Sequence, residues 1–365
     1  MTIEAGVGDA LEGGSIFVDV DLASRFGGSL ARRRALPSSY RPGPLEAELS
    51  RLTVIAQERV AHEAQLSPPG VPRARVVDRA QWVVANVRSV DRLVGPALAL
   101  ADAQRKHRAP KALERLGRQG SAAQLGGILA WMSSRVLGQY DVLIGEESSD
   151  DQDVISYVGP NIVALEQRYG FDPTQFRTWL ALHETAHRAQ FTAPAWVRPY
   201  FLGLVSEAVT LVTSDTSALL SGLSRSLKKL ARGENPLGQV GAAGLFASSA
   251  QLEALRRLAA LMSVLEGHGE VIMDVAARDL VPDAQRFHEV LRQRRQQPGA
   301  AGRLLNQLLG LDAKLRQYEE GERFVSALRV AGGASLVASL FEGPERLPSM
   351  EELVDPSRWL ARAER

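Results

Sequence analysis

The sequence predicts a mainly α protein with minor β, and two observations carry that expectation. Apolar residues recur at three- and four-residue steps through most of the chain, as in Leu45, Leu49, Leu52, Ile55 and Ala56, which is the period of an amphipathic helix. Short β-prone runs are confined to one region, Asp141–Ile144 and Val154–Val158, where an acidic, Ser-rich turn separates them as in a small hairpin. No fixed-period repeat is visible.

Taken in order, residues 1–45 mix Gly, Arg and Pro ("RFGGSLARRRALPSSYRPGP") and read as a loosely structured lead-in. Residues 46–365 read as one domain. Its first helix runs from about Leu45. A Pro/Gly turn in "LSPPGVP" precedes a second amphipathic helix around Trp82, Val83, Val87 and Val90, and a third passes through "GGILAWMSSRVLGQY". After the hairpin, Pro160 and Asn161 open a helix that ends near Gly170. "FDP" restarts the chain, and a helix follows from about Pro173 to Gln190. "APAWVRPYFLGLVSEAVTLV" gives another apolar helix, and the Gly-, Ser- and Ala-rich stretch at about 221–250 reads as a flexible insertion. A long helix, "QLEALRRLAALMSVLEGHGEVIMDVAARD", comes next, and helical segments complete the tail.

Composition narrows the function classes. Lys+Arg of 43 against Asp+Glu of 42 leaves a net charge of +1, so no overall field draws the chain to nucleic acid or anionic lipid. Only five of the 43 basic residues are lysine, and no basic cluster is interleaved with aromatics. There is no cysteine, which excludes disulfides, thiolate nucleophiles and Cys-ligated zinc; any metal must be held by His and carboxylate. The N-terminal stretch lacks a basic region followed by an apolar core, and no run of about 18 uninterrupted apolar residues occurs. A cytoplasmic protein without a membrane or nucleic-acid partner is the expectation; oligomeric state is not legible.

The chemistry concentrates in "WLALHETAHRAQF". His183 and His187 stand four residues apart, so on a helix both imidazoles share one face and can meet at a single ion. Glu184 lies about 100° round the helix, placed to act on water in the ion's open position rather than on the ion itself. Trp179, Leu180 and Leu182 before the motif, and the small Ala186 within it, suit a buried helix.

A catalytic zinc site needs a third protein ligand and leaves one place for water. Three glutamates are candidates: Glu207 in "LVSEAVTL", Glu270 in "GEVIMD" and Glu266 in "LEGHGEVIMD". Glu266 is favoured. Gly267 and Gly269 weaken this helix by about 1 kcal/mol each, a cost that a close helix–helix approach around the ion would explain. Glu270 and Asp274 share a face with Glu266, and either could accept the distal N–H of a ligating imidazole. His268 falls about 200° from Glu266, so exposure is expected, with oxyanion donation as the alternative. His62, His107 and His288 sit in charged surroundings and read as surface residues.

Several stretches together resemble one family. "VVDRAQWVVANV", "SSRVLGQYDVL", "YVGPNIVALEQRYG", "FRTWLALHETAHRAQF" followed by "PAWVRPYF", "LEGHGEVIMD", "LRQYEEGERFV" and "LPSMEELVDPSRWL" are similar to the zincin-like type 2 metallopeptidases, a largely actinobacterial family. The resemblance runs from about Val76 to the C-terminus. It implies a zincin-like fold with a second ligand-bearing helix, Zn2+ held by His183, His187 and Glu266, and Glu184 as catalytic base. It also draws attention to Tyr318 as a transition-state donor. The resemblance implies a zinc-dependent hydrolase but supplies no substrate; the leading expectation from the site residues is metal-assisted hydrolysis of an amide in a peptide or small substrate. One branch is associated with biosynthesis of the deazaflavin coenzyme F-420, which gives the alternative of a non-catalytic binding or scaffold protein.

Overall fold

The computed structural model describes residues 18–103, 110–142, 153–210, 249–296 and 311–364. In chain order the helices are α1 (Val20–Arg32), α2 (Pro42–Ala64), α3 (Arg79–Ala103), α4 (Lys111–Ser133), α5 (Gly159–Tyr169), α6 (Pro173–Thr192), α7 (Val197–Thr210), α8 (Ser249–Ala277), α9 (Ala284–Gln296) and α10 (Leu311–Ala338). Two short helices, α11 (Met350–Val354) and α12 (Pro356–Ala363), close the chain. Three strands accompany them: β1 (Arg73–Val77), β2 (Gly138–Tyr140) and β3 (Val154–Val158).

The strands form one sheet in the order β1-β3-β2. β3 is central, parallel to β1 from Arg73↔Val154 to Val77↔Val158, and antiparallel to β2. The β2–β3 pair is the expected hairpin, with its first strand three residues earlier than the β-prone run suggested. The parallel strand β1 is an addition. Its five residues lie between a Pro-rich turn and a helix, so Val76 and Val77 blend into the helical apolar pattern that follows. Because strand side chains alternate, the sheet serves two cores. Val76, Ile155 and Tyr157 face the larger one, built by α2, α5, α6, α8 and α10. Val77 and Val158 face a smaller one around Trp82, Val83 and Val87, closed by α1, α3 and α4.

Within the described residues, that smaller core gives 18–45 a packed helix where a loose lead-in was expected. Asp19 caps α1 by accepting from the Leu22 N–H (2.8 Å), and Ala23, Gly27, Gly28 and Ala31 are buried. The glycines that suggested looseness permit contact instead: a Cβ on Gly27 would lie 2.6 Å from the Gly126 carbonyl of α4. The insertion expected at 221–250 falls almost wholly outside the described residues, as does His107.

The central helix is α6, which packs against α2 on one side and α8 on the other. Asp172 accepts from the Gln175 N–H at its start, and Pro173 occupies the first turn, where a missing N–H costs nothing. A helix buried on all sides is normally apolar throughout. This one buries Phe176, Trp179, Leu182, Ala186 and Phe191, but also Glu184, Arg188 and Gln190.

α8 meets α10 backbone to backbone. A Cβ on Gly267 would lie 2.2 Å from the Gly321 carbonyl carbon, and one on Gly321 would lie 1.9 Å from the Ser263 oxygen. α10 breaks at Gly332 and Gly333, the latter at φ 69°, a left-handed conformation that glycine adopts without strain. Its segment Glu319–Phe341 is long and apolar enough to cross a membrane by length and composition. Phe324, Val325, Leu328 and Leu340 within it are fully buried in the protein core.

Candidate metal centre

α6 presents His183 and His187 one turn apart, and α8 brings Glu266 to them. One ligand atom from each of the three lies within 4.8 Å of the other two, and all three residues are partly exposed. The imidazoles meet edge to face with centroids 4.7 Å apart, and their Nε2 atoms are 3.3 Å apart. Two nitrogens bound at about 2.0–2.1 Å to one tetrahedral ion would be separated by about 3.3 Å. The pair therefore has the spacing of adjacent ligands on zinc, and the donor set of two imidazoles and one carboxylate fits the ion. Trp179 lies nearly parallel to the His183 ring, at 10° and 6.2 Å between centroids, and backs it from the preceding turn.

Of the three candidate carboxylates, only Glu266 is in this group. Glu207 projects from α7, about half exposed, and pairs with Arg257 at 2.6 Å. Glu270 and Asp274 continue along α8 to His288 on α9: Asp274 Oδ1 is 2.8 Å from Nε2, and Glu270 Oε2 is 3.5 Å from Nδ1. His288 is thus not the surface residue expected. It packs edge-on against Trp179 at 5.2 Å and is mostly buried. Burial alone would lower its pKa, but the hydrogen bond to Asp274 and the charges of Glu270, Asp274 and Glu322 outweigh that and raise it. His62 is exposed as expected.

Glu184 points to the sheet side of α6, away from solvent, at 5% exposure. The edge strand β2 covers it. A Cβ on Gly138 would lie 2.4 Å from Glu184 Oε1 and 2.6 Å from its Cγ and Cδ, so only glycine lets the strand approach this closely. The carboxylate accepts from the Tyr140 backbone N–H. Burial pushes its pKa up to about 7, with the Glu266 charge acting in the same direction, while His187 and the Tyr140 N–H oppose the rise. A carboxyl group poised near neutrality matches the requirement of a general base.

The same strand is pinned a second time. The Tyr140 hydroxyl hydrogen-bonds Asp153, and burial together with that carboxylate raises the pKa of the phenol. Asp153 in turn pairs with Arg188 of α6, which is fully buried. Arg188 donates Nε to Asp153 (2.7 Å) and also donates to Gln57 and to the Pro69 carbonyl (2.6 Å), which ties the motif helix to α2 and the loop after it.

Two further residues were not legible as site residues from the motif. Gln190 places Oε1 3.0 Å from His187 Nδ1, and its Nε2 donates to the Leu265 carbonyl (2.7 Å) and to His268 Nδ1 (2.9 Å). His268 is fully buried rather than exposed, held between Gln190 of α6 and Phe341, to which its ring lies edge-on at 4.7 Å. Burial, then the charges of His187 and Arg329, lower its pKa to about 3, so the ring is neutral at ordinary pH. Gly269 faces His187, with a Cβ position 3.4 Å from Cε1, while Gly267 faces α10; the two glycines serve two different helix contacts. The side chain of Tyr318 lies outside the described residues.

With this geometry in place, comparison with known proteins is decisive at the level of family. The zincin-like metallopeptidase family matches residues 18–360, nearly the whole chain. The chain belongs to that family. A crystal structure of a candidate hydrolase with a novel fold from Chloroflexus aurantiacus is similar throughout: TM-score 0.70 and 27% identity, covering 95% of this chain and 99% of that one. No curated protein matches. Family and neighbour together support a hydrolase, and the mainly α architecture with its small sheet is that of a zincin-like protein.

Proposed function

We propose that the protein is a zinc-dependent hydrolase of amide bonds, acting on a peptide or small amide. The observation that carries this reading is the 3.3 Å spacing of the His183 and His187 Nε2 atoms beside Glu266, with a buried, near-neutral Glu184 on the same helix. His183, His187 and Glu266 would hold the ion. Zinc in that place supplies Lewis acidity, bringing the pKa of water toward 7 and polarising a scissile carbonyl. Glu184 takes the proton from the attacking water at a carboxylate oxygen and passes it to the leaving nitrogen. The Tyr140 N–H orients that carboxylate, and the β2 backbone keeps bulk water from it. The partial exposure of the three donors leaves substrate an approach from the opposite side.

Glu184→Gln is expected to retain zinc and lose hydrolysis of a broad peptide and amide library, and His183→Ala to lose both. A Glu184→Gln protein that hydrolyses at the wild-type rate would remove Glu184 from the mechanism. The enclosure of Glu184 by β2 also favours a second reading, a non-catalytic zincin-like binding or scaffold protein. Zinc-loaded wild type that cleaves nothing in the library, with or without chelator, supports that reading.

A further inference from the structure

We infer that Gln190 is a positioning residue that fixes the tautomer of His187 and locks that imidazole to the helix bearing Glu266. The Gln190 amide can be oriented in only one way. Its nitrogen lies 2.7 Å from the Leu265 carbonyl, which can only accept, so the NH2 group faces α8 and the oxygen faces His187. A carbonyl oxygen 3.0 Å from His187 Nδ1 requires the proton on Nδ1. The lone pair of the neutral ring then sits on Nε2, the atom 3.3 Å from its counterpart on His183.

The other side of the amide is equally determined. Gln190 donates to His268 Nδ1 at 2.9 Å, so the neutral His268 ring carries its proton on Nε2, an atom buried without a hydrogen-bond partner among the described residues. A buried N–H left without a partner in this way is destabilising. The opposite tautomer would set two N–H groups against each other across the Gln190–His268 contact. The Leu265 carbonyl, which can only accept, keeps Gln190 in the orientation that His187 requires despite that unpaired N–H. Leu265 immediately precedes Glu266, so the amide joins the ring of one donor residue to the backbone beside another.

An amide serving only to cross-link two helices would contribute stability and leave His187 unaffected; a positioning amide changes the ring itself. Selective 15N-histidine NMR on the metal-free protein separates the two. Wild type is expected to show His187 as a single Nδ1–H tautomer, and Gln190→Ala to show a mixture or the Nε2–H form. Zinc affinity, measured by chelator competition, is expected to fall about 10- to 100-fold in Gln190→Ala, as for other groups that orient ligating histidines. Gln190→Glu keeps an acceptor for His187 Nδ1, so it should retain the wild-type tautomer while melting at a lower temperature, and it serves if the alanine variant does not fold. Retention of a pure Nδ1–H tautomer and wild-type zinc affinity in Gln190→Ala would overturn the inference, even if stability fell. The zinc consequence rests on the function proposed above. Wild type that binds no zinc while Gln190→Ala alters the tautomer would sink that function and leave the positioning role supported.

Discussion

Gly138→Ala is the most direct perturbation of Glu184, the proposed general base, that leaves the candidate donor residues untouched. The added Cβ would start 2.4 Å from Glu184 Oε1 and 2.6 Å from Cγ and Cδ, against an ordinary contact distance of 3.4 Å. Either β2 or the carboxylate must move by about 1 Å, and a misplacement of that size at a reacting group costs about 10²-fold in rate. β2 is held by its ladder to β3 and by Tyr140, so the carboxylate yields and loses the Tyr140 N–H. The overpacking itself should destabilise the fold by about 1–3 kcal/mol. Because His183, His187 and Glu266 are carried by α6 and α8, zinc stoichiometry should be unchanged. The assay pairs zinc content and denaturant unfolding with hydrolysis of whichever library substrate the wild type cleaves. A Gly138→Ala protein with wild-type rate and wild-type stability would show that β2 does not press on Glu184, and the argument for an enclosed base would fail.

Gly267→Ala tests the backbone contact of α8 with α10. A Cβ 2.2 Å from the Gly321 carbonyl carbon has no flexible side chain to displace, so a loss near the upper end of about 1–3 kcal/mol is expected in urea unfolding; an unchanged midpoint would refute the contact. Arg188→Met removes the only cation on Asp153 among the described ion pairs, and a loss of about 3 kcal/mol is expected, partly restored by adding Asp153→Asn. No recovery in the double variant would show that the pair is not what stabilises this region. His288 gives a pH dependence. Its folded pKa lies above the unfolded value of about 6.5, so protonation favours the fold: the contribution is full below that value and lost as pH rises through the higher folded one. The difference in melting temperature between wild type and His288→Asn should therefore shrink from pH 5.5 to pH 9, and a constant difference would remove Asp274, Glu270 and Glu322 as the cause.

The parts of this fold that are legible in sequence are those whose signal is local. α6 announces itself through Asp172, Pro173 and the His183–His187 spacing, and α5 through Pro160 and Gly170, because caps and helical period act within a few residues. Glu266 was legible through its glycines, whose cost demanded a packing reason that Gly321 and His187 supply. β1 was not, since five residues of a parallel strand acquire their meaning only from β3, about eighty residues away. His268 and His288 were misplaced for a related reason. Helical geometry gives the direction of a side chain but not whether another helix covers it, and α8 is covered on both sides. Gln190 carries no motif at all; its role comes from a carbonyl and a ring contributed by another segment of chain.

The division of labour between α6 and β2 has a consequence for how such a centre can diversify. The three candidate ion donors sit on two long helices, whereas the electrostatic setting of Glu184 depends on a three-residue edge strand. Under the proposed function, substitutions in that strand would retune the basicity of Glu184 while leaving the three donors in place. Relatives of this chain could thus drift between catalyst and inert receptor through changes at a single backbone ribbon.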